Sequence, residues 1–333
     1  MAKTKATSKS KNHDAPKMTF GERQNKIFQA VTDRILEQLR AGVIPWRRPW
    51  HGLKNADASL LAISFETRTA YSLLNQILLG EPGEYLTFNC IQKHGGHIRK
   101  GERSRMVVFA DRLVKDDPDH TDENGNPKKV IIPYLKYYNV WHLSQVDGIE
   151  SRIPAPDAPK EEPKIKPVDA AEAIIDGYLS QPSHPRLVVK HSDKAYYQPS
   201  TDIVVVPMMG QYDDVAEYYS TLFHELGHST GHKDRLARKG ITGSDFFGGH
   251  EYSKEELVAE MCSAMLVSES GLDAEKAFKN SVGYIQGWYK KFMEDNKVFV
   301  WAAGAAEKAA KRILGLDAKE QASGDEAAEA VAA

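Results

Sequence analysis

Apolar residues at Ile27, Val31, Ile35, Leu36 and Leu39 recur with helical spacing, and Gly42 follows as a stop. A second helix is predicted over 69–79, closed by Gly80. A short strand is expected over 85–88, a short helix over 90–94 ended by Gly95-Gly96, and strands over 106–110 and 134–141. The polar stretch between those strands, from Asp116 to Pro127, predicts a flexible loop.

Beyond a segment carrying Pro154, Pro156, Pro159, Pro163 and Pro167 the pattern restarts. A helix is predicted over 170–179, strands over 187–190 and 201–207, and a turn over 195–200 between them. A longer helix follows over 215–231, then a polar loop over 240–249. Ser253 with Glu256 three residues on predicts the capping-box start of another helix, whose stripe is Leu257, Val258, Met261, Ala264 and Met265. Later helices hold Tyr284, Ile285, Trp288 and Phe292, and then 298–314. The order gives an α+β fold class, with a small sheet packed on helices in the second half.

The helix over 215–231 contains His224-Glu225-Leu226-Gly227-His228. Residues four apart share a helix face, so His224 and His228 can present both imidazoles to one zinc ion. Glu225 can reach the open coordination position and act as the catalytic general base. Catalytic zinc takes a third protein ligand. Glu256 and Glu260 lie four apart beside the next apolar stripe. Glu256 is favoured as the metal ligand and Glu260 as the acid that orients a ligand histidine, with the reverse assignment open. The bland alternative is a helix cap at Glu256 and a surface lysine pair at Glu260. Tyr252 can donate to an oxyanion, though a tyrosine there more often packs. Such ligands also accept manganese, nickel or cobalt. A strand edge in front of the motif helix can hold an extended peptide by β-addition.

Composition narrows the class without deciding it. With 44 Lys and Arg against 46 Asp and Glu, the formal net charge of -2 does not mark the whole chain as a polyanion binder. Cys90 and Cys262 form no CxxC pair, which fits a reducing, cytoplasmic setting and excludes a cysteine-rich zinc knuckle. No apolar run suits a bilayer, and no signal-peptide pattern is expected. Locally, Trp46-Arg47-Arg48 with Trp50, the basic turn holding Arg99, Lys100, Arg103 and Arg105, and the aromatics Tyr71 and Phe88 combine rings with cations. Bases stack on rings and phosphates pair with cations, so single-stranded DNA is the expected partner. A core role for both tryptophans weighs equally.

The Trp-rich first half, the Pro-rich linker, Phe223 to His228 with Gly231-His232, Glu255-Glu256-Leu257-Val258-Ala259-Glu260, and Gly95-Gly96 with Arg99-Lys100-Gly101 together resemble the ArdC antirestriction family of plasmids and phages. Its first module is also related to a plasmid primase. Composition marks a disordered basic tail over 1–17, a Pro-rich linker over 150–168 and a disordered Ala- and Glu-rich tail over 317–333. The resemblance covers the rest and implies a single-stranded-DNA-binding domain over 18–149 and a zincin-like metallopeptidase domain over 169–316. It further implies His224 and His228 as metal ligands, Glu225 as general acid/base, a third ligand from the Glu256 helix, and protection of incoming DNA from host restriction, with a host protein as a possible substrate. The competing expectation is a DNA-coating protein whose metal domain is structural or non-proteolytic.

Overall fold

A computed structural model describes residues 18–47, 60–121, 127–153, 167–242, 250–278 and 282–317. Helix α1, Phe20–Arg40, starts at a full capping box, in which Thr19 accepts from the Glu22 backbone and the Glu22 side chain accepts from Thr19 N. Its stripe of Val31, Ile35, Leu36 and Leu39 is buried. A 3-10 turn, Pro45–Arg47, then carries Trp46 inward.

Next come β1 (Ala62–Ser64), α2 (Leu73–Leu79), β2 (Gly83–Thr87), α3 (Phe88–Lys93), β3 (His97–Ile98), β4 (Arg105–Thr121), β5 (Pro127–His142) and β6 (Val146–Asp147). Strands β1, β2, β5 and β4 form one sheet in that order, with β1 and β2 parallel and the other pairs antiparallel. A two-stranded ribbon pairs β3 with β6.

Three expectations change here. Residues 69–72 are not helical, because Ala70 bridges to Ile63 and Ser72 stays extended as the N-cap of α2. Phe88 opens α3 rather than ending a strand, because Thr87 Oγ1 accepts from Cys90 N. The polar stretch from Asp116 prolongs the two arms of the hairpin, which pair out to Thr121 and Pro127.

The second half comprises α4 (Pro167–Leu179), β7 (Arg186–Lys190), β8 (Tyr196–Gln198), β9 (Ile203–Pro207), α5 (Val215–Ser229), α6 (Lys239–Thr242), α7 (His250–Ser270), α8 (Ala274–Ala277), α9 (Val282–Glu294) and α10 (Val298–Ile313). Strand order is β7-β9-β8, with β8 antiparallel to β9 at the edge. The stretch read as a turn over 195–200 therefore contains a strand. Only Tyr197 of its three residues points inward, and its hydroxyl donates to Asp202 Oδ1 at 2.8 Å, so no alternation shows in the sequence.

One hydrophobic core runs across both halves. It joins Val31, Ile35, Trp46 and Ile77 to Ile174, Tyr219, Leu257, Phe292 and Phe299. Leu73 N donates to Glu307 of α10 at 2.9 Å, which caps α2 from the far end of the chain. The Asn75 amide bonds both backbone groups of Val108, at 2.8 Å each, and fixes α2 to β4. The clean separation expected at 150–168 is corrected accordingly: the apolar faces of α1 and α2 need the C-terminal helices to cover them, and residues 154–166 lie outside the described residues. Among the described residues no helix is long and apolar enough to cross a membrane.

Candidate metal centre and nucleic-acid surface

Asp214 caps α5 by accepting from Ala216 N at 2.9 Å. Leu222, Phe223 and Leu226 of α5 are fully buried. Gly227 sets the distance to α7: a Cβ there would stand 3.2 Å from Ala259 Cα and 3.4 Å from Cys262 Cβ. Glycine thus lets the two helices come close enough for residues of α7 to reach the imidazoles of α5.

The result is a convergent trio. His224 Nε2 and His228 Nε2 lie 3.0 Å apart. The Glu256 carboxylate stands 3.6 Å from the first, through Oε2, and 3.5 Å from the second, through Oε1. All three ligand atoms fall within 4.8 Å of one another. Burial opposes charge on His224, yet the Glu256 carboxylate, followed by Glu225 and Glu260, holds its pKa up at about 9. A pocket that charges an imidazole against desolvation favours a cation, and two imidazoles with one carboxylate are a donor set for a divalent transition metal. The residues present fit such an ion.

Behind His228 lies an ion pair that the sequence reading missed. Its Nδ1 stands 3.5 Å from Glu255 Oε1. Arg238 donates to Glu255 Oε2 from Nε at 2.9 Å and to Oε1 from Nη2 at 2.5 Å, and also to Thr230 Oγ1 and Gly227 O. Burial pushes the Glu255 carboxyl up, but Arg238 and then His228 outweigh it and hold the group below the usual carboxylate range. Arg238 fits because Gly231 leaves room: a Cβ there would meet its Nη2 at 3.0 Å and Ile241 Cγ1 at 2.6 Å.

Glu260 is corrected as a ligand. Arg47 donates to its Oε1 from Nε at 2.8 Å and from Nη2, so the carboxylate is spent on a guanidinium that also lies over the Phe278 and Tyr284 rings. The carboxylate beside the far side of a histidine of the trio is that of Glu255, 3.5 Å from His228 Nδ1. The start of α7 at His250 removes Ser253 as its N-cap, and Glu256 turns to the imidazoles instead of closing a capping box. The Tyr252 side chain lies outside the described residues.

The trio opens on a cleft of about 840 Å³ lined by Glu225, Ile241 and the length of β8, Tyr196 to Gln198. An edge strand thus faces the two histidines and the glutamate between them.

The residues expected to touch DNA divide in two. Trp46 is fully buried, with its ring 6.1, 6.0 and 5.7 Å from those of Trp288, Phe292 and Phe299. It belongs to the core, and Arg47 to Glu260. Arg105 donates to Leu79 O at 2.6 Å and pairs with Glu81 at 2.5 Å, so it ties β4 to the α2–β2 loop instead of facing a partner. Arg48 and Trp50 lie outside the described residues. Arg99, Lys100 and Arg103 are exposed, with Arg99 3.7 Å from Asp147. Phe88 is half exposed, 6.4 Å from the Trp141 ring. Tyr71, half-buried, meets Phe109 at 6.3 Å, and Phe109 meets Tyr138 at 5.6 Å. These three rings line a groove of about 620 Å³ that runs between the four-stranded sheet and α10. Phe109 and Tyr138 went unremarked in the sequence because each sits in a strand whose alternation reads as ordinary sheet.

Two histidines of α5, a carboxylate of α7 and an edge strand alongside are an arrangement that suits a zincin-like domain, and residues 180–305 match the family described as zincin-like metallopeptidase. Residues 25–141 match the N-terminal domain of anti-restriction factor ArdC. The chain thus carries, in this order, an N-terminal domain of the ArdC type and a zincin-like domain. It is similar to the ArdC protein of plasmid R388 in a metal-free crystal structure, at 29% identity and a TM-score of 0.62, over 88% of this chain and 98% of that one. The Mn(II)-bound structure of the R388 protein matches at 27% identity and the same TM-score of 0.62, over 87% and 97%. A DNA primase TraC of Escherichia coli is 30% identical over 90% of this chain, but the chain spans only 28% of that primase. An uncharacterised protein of Sinorhizobium fredii (strain NBRC 101917 / NGR234) is 29% identical over 85% of this chain and 90% of its own length.

Proposed function

We propose that the chain binds single-stranded DNA through its N-terminal module and carries a divalent-metal peptidase-type site in the cleft below β8. The observation that carries the second half is the convergence of His224, His228 and Glu256 beneath an edge strand, with Glu225 in the same cleft. His224, His228 and Glu256 would hold the ion, with zinc the expected metal and manganese an alternative that the R388 relative's Mn(II)-bound structure supports. When bound, such an ion supplies Lewis acidity toward a carbonyl and lowers the pKa of a water.

The protein groups then have distinct tasks. The free edge of β8 pairs with an extended peptide and sets its register across the cleft. Glu225 accepts the proton of the attacking water and returns it to the leaving amine. Glu255, held by Arg238, keeps the His228 ring in one orientation, so Nε2 faces the centre.

For the N-terminal module, Tyr71, Phe109 and Tyr138 offer stacking faces, while Arg99, Lys100 and Arg103 offer phosphate contacts. The match to the ArdC N-terminal domain and the likeness to a primase support nucleic acid as the partner. Protection of incoming DNA from restriction follows as the biological role.

The test is Glu225→Gln. It is expected to retain the metal, keep its salt-dependent preference for single-stranded over double-stranded oligonucleotides in fluorescence anisotropy, and lose cleavage of unfolded polypeptides. Cleavage equal to the parent's would remove the peptidase assignment. Equal anisotropy on both kinds of DNA would remove the single-strand assignment. A variant that still protects DNA as well as the parent would favour the competing role, in which DNA coating alone gives antirestriction.

A further inference from the structure

Helix α3 repeats, in another chemistry, the spacing of the motif helix. Cys90 and its C-cap His94 lie four residues apart, and both face Glu66 in the turn that follows β1. We propose that Glu66, Cys90 and His94 form a second metal site, built for a zinc-class divalent ion, which clasps α3 to the β1 turn.

His94 Nε2 stands 3.1 Å from Glu66 Oε2, and Cys90 Sγ stands 3.5 Å from that same oxygen. The three ligand atoms lie within 4.8 Å of one another. Bonds of about 2.0–2.3 Å meeting at a tetrahedral ion put ligand atoms roughly 3.3–3.7 Å apart, and both distances from Glu66 Oε2 are close to that range. The carboxylate is already divided for this purpose. Lys93 holds Oε1 from outside, which leaves Oε2 as the atom turned to sulfur and imidazole.

The ligands are also held in place. Cys90 N donates to Thr87 Oγ1 at 3.3 Å. The Phe65 ring meets the His94 ring at 5.3 Å, edge on, and the Arg152 guanidinium lies 4.1 Å from the Phe65 centroid. Past His94 the chain turns through Gly95, at φ +74°, and Gly96, where a Cβ would meet Ile149 Cγ1 at 2.6 Å. The backbone beyond the site leads straight into the exposed turn of Arg99, Lys100 and Arg103. An ion here would anchor the start of that turn.

Thiolate, imidazole and carboxylate together suit zinc or cobalt rather than magnesium or calcium. On binding, the Cys90 thiol gives its proton to solvent and its sulfur becomes a ligand, with no change of oxidation state. The cleft trio contains no sulfur, so a spectroscopic signature separates the two sites. The proposal stands apart from the peptidase reading.

The experiment is a cobalt(II) titration of the full chain followed by absorption. A thiolate-to-cobalt charge-transfer band is expected in the parent and in His228→Ala, and is expected to vanish in Cys90→Ser. Glu66→Gln keeps the size of the side chain and removes its charge, and it should weaken the cobalt affinity that the band reports by about tenfold or more. No band in the parent overturns the proposal. So does a band that survives Cys90→Ser, which would assign the sulfur to Cys262, or an affinity unchanged in Glu66→Gln.

Discussion

In the cleft, His228 is backed by Glu255, and Glu255 is backed by Arg238, each less than a tenth exposed. At the groove, Phe109 and Tyr138 stand 44% and 46% exposed on one face of the sheet. The first region fixes two or three atoms through buried charge and tight helix contact. The second offers flat, exposed aromatic area. Chemistry at a point demands locked ligands, whereas stacking along a strand tolerates many bases, since each has a π-face.

Substitutions should separate the two regions by what they damage. Arg238→Ala leaves the Glu255 carboxylate buried beside His228 without its guanidinium. It should cost about 3–5 kcal/mol in chemical denaturation and lower metal affinity as well. A loss under about 1 kcal/mol would mean that the cleft is no more locked than the groove. Tyr138→Ala and Phe109→Ala should leave denaturation midpoints nearly in place and weaken single-stranded DNA by about 1–3 kcal/mol per base unstacked, read by anisotropy. An undiminished affinity in the double variant would move the DNA track off this face.

A pH series sharpens the contrast. The folded-state pKa of His224 is raised from 6.5 to about 9, so in the metal-free protein its charge stabilises the fold fully below pH 6.5 and this contribution fades as pH rises to about 9. Metal must displace that proton, so loading measured by dialysis should tighten over the same window while metal-free stability falls. Coincident rises would break the assignment. The smallest effect is expected at the basic turn. Lys100→Ala should weaken all single-stranded sequences alike and reduce the salt slope by about one phosphate contact, with no effect on metal loading.

What could be read in advance follows the reach of each interaction. His224, Glu225 and His228 lie within one turn and a half of one helix, so spacing alone brought them together, whereas spacing on α7 left Glu256 and Glu260 as alternatives. Arg238 and Glu255 needed the path of the chain through Gly231, which no local pattern announces. Trp46 and Arg47 look like a nucleic-acid grip in sequence, since an aromatic beside a cation has the same composition whether it faces solvent or a core. The choice was made by Trp288, Phe292, Phe299 and Glu260, all more than two hundred positions away. Strand β8 was hidden for a different reason: three residues with one inward side chain carry no period.

The burial of Trp46 against α9 and α10 also sets a timetable. A nascent chain exposes that indole early and completes its pocket only after Phe299 has been made, roughly 250 residues later. At about 5–20 residues per second the wait is on the order of 10–50 s. For that interval the apolar faces of α1 and Trp46 lack their final covering, so the step most exposed to chaperones and proteases precedes the appearance of either functional surface. A message cut short near the Pro-rich segment would yield a sticky half-protein rather than a small DNA-binding one.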